Sequence, residues 1–391
     1  MSFFPAVPKN PKDCRLRRFL SGRGLCAAAI TAFLLLTAVE GTWGIELHRN
    51  PVMWVTTVLL MISLGFIIFD SIKEKGFTSG TLSHIGMFLL LLGSFCGAPD
   101  FVEARIVVSS GHGENQAFSR EGKKVPLPFT ISLKEFDIDY YDNGVSPIQY
   151  TSTLYLDGKE FRTSVNHPCR YKGYGIYQMD FDRENGTYSV LELVRDPWLP
   201  VVFLGLLLLA SGAVLSLKRC WCSWYAVAAM GVIALLFGAI SLARINFGTL
   251  APVLRSFWFI PHVALYMLAY SSLALALVTG CAAGFNQKRP KMEILSSRLF
   301  NTASSLLLLG MICGAVWAKA SWGDWWTWDT KECWAAVTWL LTILGTHLPL
   351  RWQKGNRTTL IFMILAFTAM QIAWYGVDLL PAAQSSLHTY R

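Results

Sequence analysis

Runs of about twenty apolar residues recur nine times along the chain, near 25–43, 54–71, 82–98, 198–217, 223–243, 259–282, 299–319, 333–350 and 358–379. Each is long enough to cross a bilayer core as a helix. With 53% hydrophobic residues, 15% charged residues and a mean hydropathy of +0.41, the chain lies outside the soluble globular range. The reading is a polytopic α-helical membrane protein with about nine transmembrane helices. The formal charge of +9 raises nucleic acid as a partner, but the basic residues sit in short clusters between the runs. Arg15, Arg17, Arg18 and Arg23, then Lys73 and Lys75, Lys218 and Arg219, Lys288 to Lys291, and Arg351 to Arg357 mark alternate loops. Nine spans starting from an inner N-terminus reproduce that alternation, so the charge reads as topology, with no nucleic acid implied. Segment 100–196, the loop after the seventh span and the C-terminus then fall outside.

The first run follows a basic flank, as a signal peptide would, but no small-residue cleavage site follows Glu40-Gly-Thr-Trp-Gly, and it reads as a retained span. The nine cysteines show neither the CxxC redox spacing nor paired metal-type motifs. Residues 1–24 are polar and basic, an inner tail, and 25–99 carry three spans. Between 100 and 196 the pattern changes to period-two alternation, in 129–136, 138–141, 150–156, 161–165, 175–181 and 188–194, with a turn at Asp157-Gly158. This predicts an inserted small antiparallel β extracytoplasmic domain. His167, just before Pro168 in this segment, reads as a turn residue or a binding residue. The remainder, 197–391, holds six further spans.

Within it, Trp322-Gly-Asp-Trp325-Trp326-Thr-Trp328-Asp329-Thr-Lys-Glu332-Cys333-Trp334 packs five tryptophans and three carboxylates between two apolar runs. An aromatic belt at the headgroup level is one account. The density of the cluster, with Gly323 and Asp324 inside it, favours a flat aromatic platform on the outer surface. Asp329 and Glu332 fit a capping box opening the eighth span. Four of the seven histidines pair by depth: His84 and His347 near the inner face, His262 and His388 near the outer face on either side of the platform in sequence. A lone histidine at such a depth can also snorkel or bond a carbonyl. Two imidazoles beside a broad aromatic surface suit haem, whose iron takes two axial ligands and whose macrocycle packs on indoles. Zinc asks for a tighter N/S/O set, and a proton-driven transporter for carboxylates within its spans. Arg244 and Arg255 are candidate partners for haem propionates.

The stretch 322–340 resembles the tryptophan-rich WWD motif of haem-handling proteins that build c-type cytochromes, in the form found in the CcsA family of the System II pathway; the likeness covers about 198–391. From about 20 to 200 the chain resembles the CcsB (ResB) family, through His84, Leu127-Pro-Phe-Thr-Ile and Asn166-His-Pro-Cys-Arg-Tyr-Lys-Gly-Tyr. Its whole length looks like a compact CcsB–CcsA fusion. The resemblance implies haem b carried from an inner pair, His84 and His347, to an outer iron-binding pair, His262 and His388, which present it for attachment to apocytochrome c Cys-x-x-Cys-His segments. The tryptophans 322, 325, 326 and 328, with Gly323, Asp324 and Asp329, belong to the implied cofactor site. On this reading His262 and His388 are the catalytic residues of a haem lyase, and a thioredoxin-like thiol reductant and membrane lipid are the further partners. A haem transporter or chaperone without ligation activity, and a structural assembly subunit, remain alternatives. A fused chain without a transit peptide points to a bacterial inner membrane. Cys169 and Cys333 occupy positions that the family motifs do not require.

Overall fold

A computed structural model describes residues 23–182, 186–219, 224–242, 249–285, 290–347 and 356–382. His388, Arg244 and the tail 1–22 lie outside the described residues. Three helices come first, α1 (Arg23–Trp43), α2 (Pro51–Lys75) and α3 (Ser79–Gly97). Asn50 caps α2 by accepting from the Val52 N–H, with Pro51 pre-set for the first turn, and Thr78 caps α3 the same way through the Thr81 N–H. After the sheet come α4 (Leu199–Arg219), α5 (Trp224–Leu242), α6 (Phe259–Phe285), α7 (Pro290–Trp322), α8 (Thr330–His347) and α9 (Asn356–Gln371). Seven of the described helices are long and apolar enough to cross a membrane, while α5 and α8 are shorter or less apolar. This is a polytopic helical membrane protein with an inserted antiparallel sheet. Two boundaries differ from the hydropathy reading. α7 starts at Pro290, because its first turns are helical although polar, and the last span loosens after Gln371 into a π-turn, Ile372–Gly376, and a 3₁₀ turn, Val377–Leu379.

The sheet has eight strands in the order β5-β4-β3-β2-β1-β8-β7-β6. They are β1 (Val102–Ser109), β2 (Glu114–Phe118), β3 (Lys124–Tyr140), β4 (Pro147–Leu156), β5 (Lys159–Ser164), β6 (Cys169–Tyr171), β7 (Tyr174–Phe181) and β8 (Tyr188–Arg195). Ala104, Ile106 and Val108 from β1, Phe129, Ile131 and Leu133 from β3, and Leu191 and Leu193 from β8 fill its core at every second position. The stretches 129–136 and 138–141 are one strand. A register shift between Leu133 and Glu135 turns the alternation over while the ladder to β4 continues. The sheet also curls onto itself: Thr163 of β5 donates to the Ile176 carbonyl of β7 (2.7 Å), and Ser152 of β4 to Gln178 (2.6 Å).

The sheet docks on the bundle through the loop between β5 and β6. Asn166, in the left-handed region at φ 67°, donates from its amide to the Pro252 carbonyl (2.9 Å) and accepts from Ser321 Oγ at the end of α7 (2.6 Å). Nearby, Trp317 Nε1 donates to the Val253 carbonyl (3.1 Å), and Arg255 lies over the Tyr141 ring, 5.7 Å from its centre. Arg255 therefore serves the junction between sheet and bundle. The end of the bundle that carries the sheet also carries the tryptophan segment.

Candidate functional site

α3 and α4 pack closely along glycines, and α3 presents His84 to the bundle interior two residues before one of these contacts, Gly86. From α8, His347 reaches the same space at the end of the bundle remote from the sheet. The two ring centres are 6.5 Å apart at 53°. His347 Nδ1 lies 2.9 Å from the Ile343 carbonyl, whereas His84 Nδ1 is buried with no hydrogen-bond partner. These residues, paired only by depth in the sequence, are brought together across a cavity.

That cavity has a volume of about 2700 Å³ and extends from His84 and His347 to the tryptophan segment at the sheet end. Asp324, Trp325, Trp326, Trp328 and Asp329 line it, as does Trp339 of α8. Trp325 Nε1 and Trp339 Nε1 are buried there without partners. The segment 323–329 holds its shape because Glu332 Oε2 accepts from the Thr327 N–H (2.7 Å) and the Asp329 N–H (3.3 Å), while Asp329 Oδ1 accepts from the Lys331 N–H (2.8 Å). This is the capping box read from the sequence, extended backward by two residues.

The segment is divided, however. Gly323, at φ 91°, packs against Val194 and Tyr177 of the sheet, and Trp322 leans on Trp317 (5.6 Å between centres). His262 of α6 is on that side too. Its Nδ1 is 2.9 Å from the Gly310 carbonyl and its ring stands edge-on to Tyr266 (4.9 Å) and 5.8 Å from Trp317. On α7, Gly310, Gly314 and Trp317 form the face toward His262, and Leu308, Ile312 and Ala315 the face toward the cavity. Among the described residues His262 is not part of the cavity wall, so the expected single surface of four tryptophans and His262 is split across α7.

Three groups at the sheet end carry no signal in the sequence. Arg120, from the turn after β2, pairs with Glu103 of β1 and reaches Asp324 at 3.5 Å. Burial, then a hydrogen bond with the Glu192 carboxyl and the charge of Asp324, push Glu103 up to about 8 despite Arg120. Burial likewise raises Asp324, against Arg120 and Lys319. Lys319 donates to the Gly323 carbonyl (2.7 Å) and lies 5.7 Å from the centre of the Trp325 ring. Finally, Glu40 at the end of α1 and His48 in the following loop meet at Trp328. Local alternation cannot reveal such pairs, which come from different elements or from either side of a turn.

Residues 198–383 match the family model described as cytochrome c assembly protein, and residues 78–187 match the ResB-like family. The chain is 31% identical over 220 residues to the cytochrome c biogenesis protein CcsA of Synechococcus sp. (strain RCC307), covering 45% of this chain and 69% of that protein. It belongs to the cytochrome c assembly family. With the CcsA of Prochlorococcus marinus (strain MIT 9515) it shares 30% identity over 176 residues, 36% of this chain and 55% of the relative. The cytochrome c assembly and ResB-like regions lie in one chain, which makes this a fused System II protein of the CcsB–CcsA kind. The cavity draws its walls from both regions, with His84 in the ResB-like match and His347 and the tryptophan segment in the cytochrome c assembly match.

Proposed function

We propose that the protein takes up haem b between His84 and His347, moves it along the cavity to the tryptophan-lined end, and presents it for covalent attachment to apocytochrome c. One observation carries the reading: a cavity of about 2700 Å³ with two facing imidazoles at one end and an indole wall at the other. Pockets for drug-sized ligands hold about 300–1,000 Å³, so a macrocycle has room to enter and to move. Two metal–nitrogen bonds of about 2 Å, with half an imidazole beyond each, set axial ring centres about 6 Å apart. The 6.5 Å between His84 and His347 suits that, and the unpartnered His84 Nδ1 is a buried polar atom that a ligand would satisfy. Among the described residues no cluster of three or more metal-ligating side chains occurs, so a metal held here must bring its own equatorial donors.

At the sheet end the unpartnered Trp325 and Trp339 indole N–H groups, with Arg120 and Lys319, offer donors to propionates, while the rings take the apolar faces. The protein's share of the chemistry is then to hold and orient. The thiols of a reduced Cys-x-x-Cys-His segment add across the haem vinyl groups, and the incoming histidine replaces an imidazole of the protein. A thioredoxin-like reductant keeps those thiols reduced. His262 and His388 remain the candidate ligands for presentation, in a bacterial inner membrane with the sheet outside. Purified in detergent, the wild type is expected to show a Soret band that weakens in His84→Ala and His347→Ala. Absence of the band in the wild type refutes haem binding. Co-expression with an apocytochrome, followed by haem staining of a denaturing gel, separates covalent attachment from transport alone.

A further inference from the structure

The cavity's sheet end has an imidazole of its own. α1 ends after Glu40, the chain turns at Gly44 (φ 68°), and the following loop brings His48 back over the helix end. Gly41 makes this approach possible: a Cβ there would meet the Cys333 Cβ of α8 at 2.5 Å, so Glu40 is set against the start of α8 beside the capping box. The Glu40 carboxylate is held twice, by His48 Nδ1 and by the His48 backbone N–H (3.0 Å). Its side chain is only 4% exposed, whereas that of His48 is 22% exposed. With Nδ1 committed to a buried carboxylate, Nε2 is the ring nitrogen left for another partner. Among the described residues no protein group takes Nε2, and His48 lines the cavity. The ring lies flat on Trp328, 5.2 Å between centres and 6° from parallel, and Trp328 is in turn braced by Phe33 and Trp326, each 6.3 Å away.

A carboxylate that fixes one imidazole nitrogen so that the other faces a ligand is how proteins orient metal-binding histidines. Here the ring is clamped by a carboxylate and an indole, and the residue lines the cavity. His262 lies across α7, so a group travelling through the cavity from His84 and His347 meets His48 before it can reach His262. We propose that His48, positioned by Glu40 and stacked on Trp328, is an axial imidazole for haem iron at the sheet end of the cavity, a receiving ligand additional to both expected pairs. The inference rests on the haem reading above.

The test uses the full chain in detergent. A background variant lacking the four expected histidines, His84→Ala/His347→Ala/His262→Ala/His388→Ala, is loaded with haemin, and haem affinity and ferric spin state are read by visible and electron paramagnetic resonance spectra. Imidazole-ligated haem is expected to persist in the background. Adding His48→Ala is expected to lower affinity by tenfold or more, with added imidazole restoring the imidazole-ligated spectrum. Glu40→Gln, which keeps the side-chain volume, is expected to lower affinity by about tenfold, the size typical of losing the partner that orients a metal-bound histidine. This second variant keeps the proposal open to refutation if His48→Ala folds poorly. Unchanged affinity and spin state in both variants overturns the assignment of His48. Loss of the Soret band from the wild type refutes haem binding as a whole, a different result.

Discussion

The spacing between His84 and His347 depends on how closely α3 approaches α4, and Gly86 sets that approach. A Cβ at this position would lie 2.6 Å from the Leu209 backbone nitrogen, 2.7 Å from the Gly205 carbonyl and 2.9 Å from Leu209 Cγ. Two of these atoms are backbone, so no side-chain rotation relieves the clash. Reaching an ordinary contact near 3.4 Å requires the helices to part by about 0.8 Å. Overpacking of this kind costs about 1–3 kcal/mol, and close glycine-mediated approach is a main source of helix association in membranes. At about 2.1 cal/mol/K of unfolding entropy per residue, each kcal/mol corresponds to a fall of about 1 °C in the melting midpoint of a chain of 391 residues. His84 is two residues away on the same helix, so the displacement reaches its ring. Gly86→Ala is therefore expected to lower the midpoint in detergent by about 1–4 °C and to shift bound haem away from a bis-imidazole spectrum. Gly80→Ala is the control: it lies on the same helix, and its nearest neighbour is the Thr78 hydroxyl at 3.8 Å. If Gly86→Ala melts with Gly80→Ala and keeps the wild-type spectrum, the α3–α4 contact does not set the histidine spacing and the reasoning fails.

The remaining predictions concern the sheet end. Glu103, with its pKa raised to about 8 from an ordinary 4.5, binds a proton in the folded state that it loses on unfolding between those values, so its contribution is largest below about pH 4.5 and is lost as the pH rises through 8. Melting midpoints recorded across that window should fall with pH less steeply in Glu103→Gln than in the wild type. Glu332→Ala removes the acceptor for both the Thr327 and Asp329 N–H groups and is expected to cost about 1–2 kcal/mol, read as a lower midpoint. Asn166→Gly keeps the left-handed backbone and deletes the amide contacts to Pro252 and Ser321. Limited proteolysis should then cut the chain on either side of the sheet faster than in the wild type.

What the sequence makes legible here is what local chemistry or membrane physics dictates. Runs of about twenty apolar residues can only be buried or span, so the helices and their alternation follow from hydropathy and basic loops. The capping box of Asp329 and Glu332 is legible because both partners lie within one helical turn. His84 and His347 belong to helices far apart in sequence, yet depth alone matches them, since the membrane supplies a coordinate that a soluble protein lacks. Where two elements must be docked, the same reasoning stops. β2 buries only Ala117 on its face and offers no alternation to detect, and the bulge in β3 makes one strand look like two. Arg255 lies in an outer loop between spans yet serves the sheet junction, while Arg120 and Lys319, from a β-turn and a helix, lie at the tryptophan segment. Hydropathy gives depth without azimuth, so it puts His262 at the level of all four tryptophans but does not show that α7 separates it from three of them.

Trp328 ties these observations together. It is one of four described residues other than glycine with positive φ, at 58°, a region that costs an ordinary L-residue about 1–2 kcal/mol. The other three, Asp157, Asn166 and Lys172, belong to the sheet's turns and loops, where such a backbone serves chain reversal. At 328 the chain is about to enter α8, and glycine would meet the backbone requirement without strain. An indole there instead carries strain that the Glu332 contacts to Thr327 and Asp329 on either side and the packing of Phe33 and Trp326 hold in place. Strain kept at a residue that lines a cavity and floors the His48 ring is the pattern of a binding wall. An aromatic belt needs only indoles at the right depth and gains nothing from a fixed, strained one. The backbone of Trp328 thus weighs toward a ligand-facing role for the segment on grounds independent of the histidines.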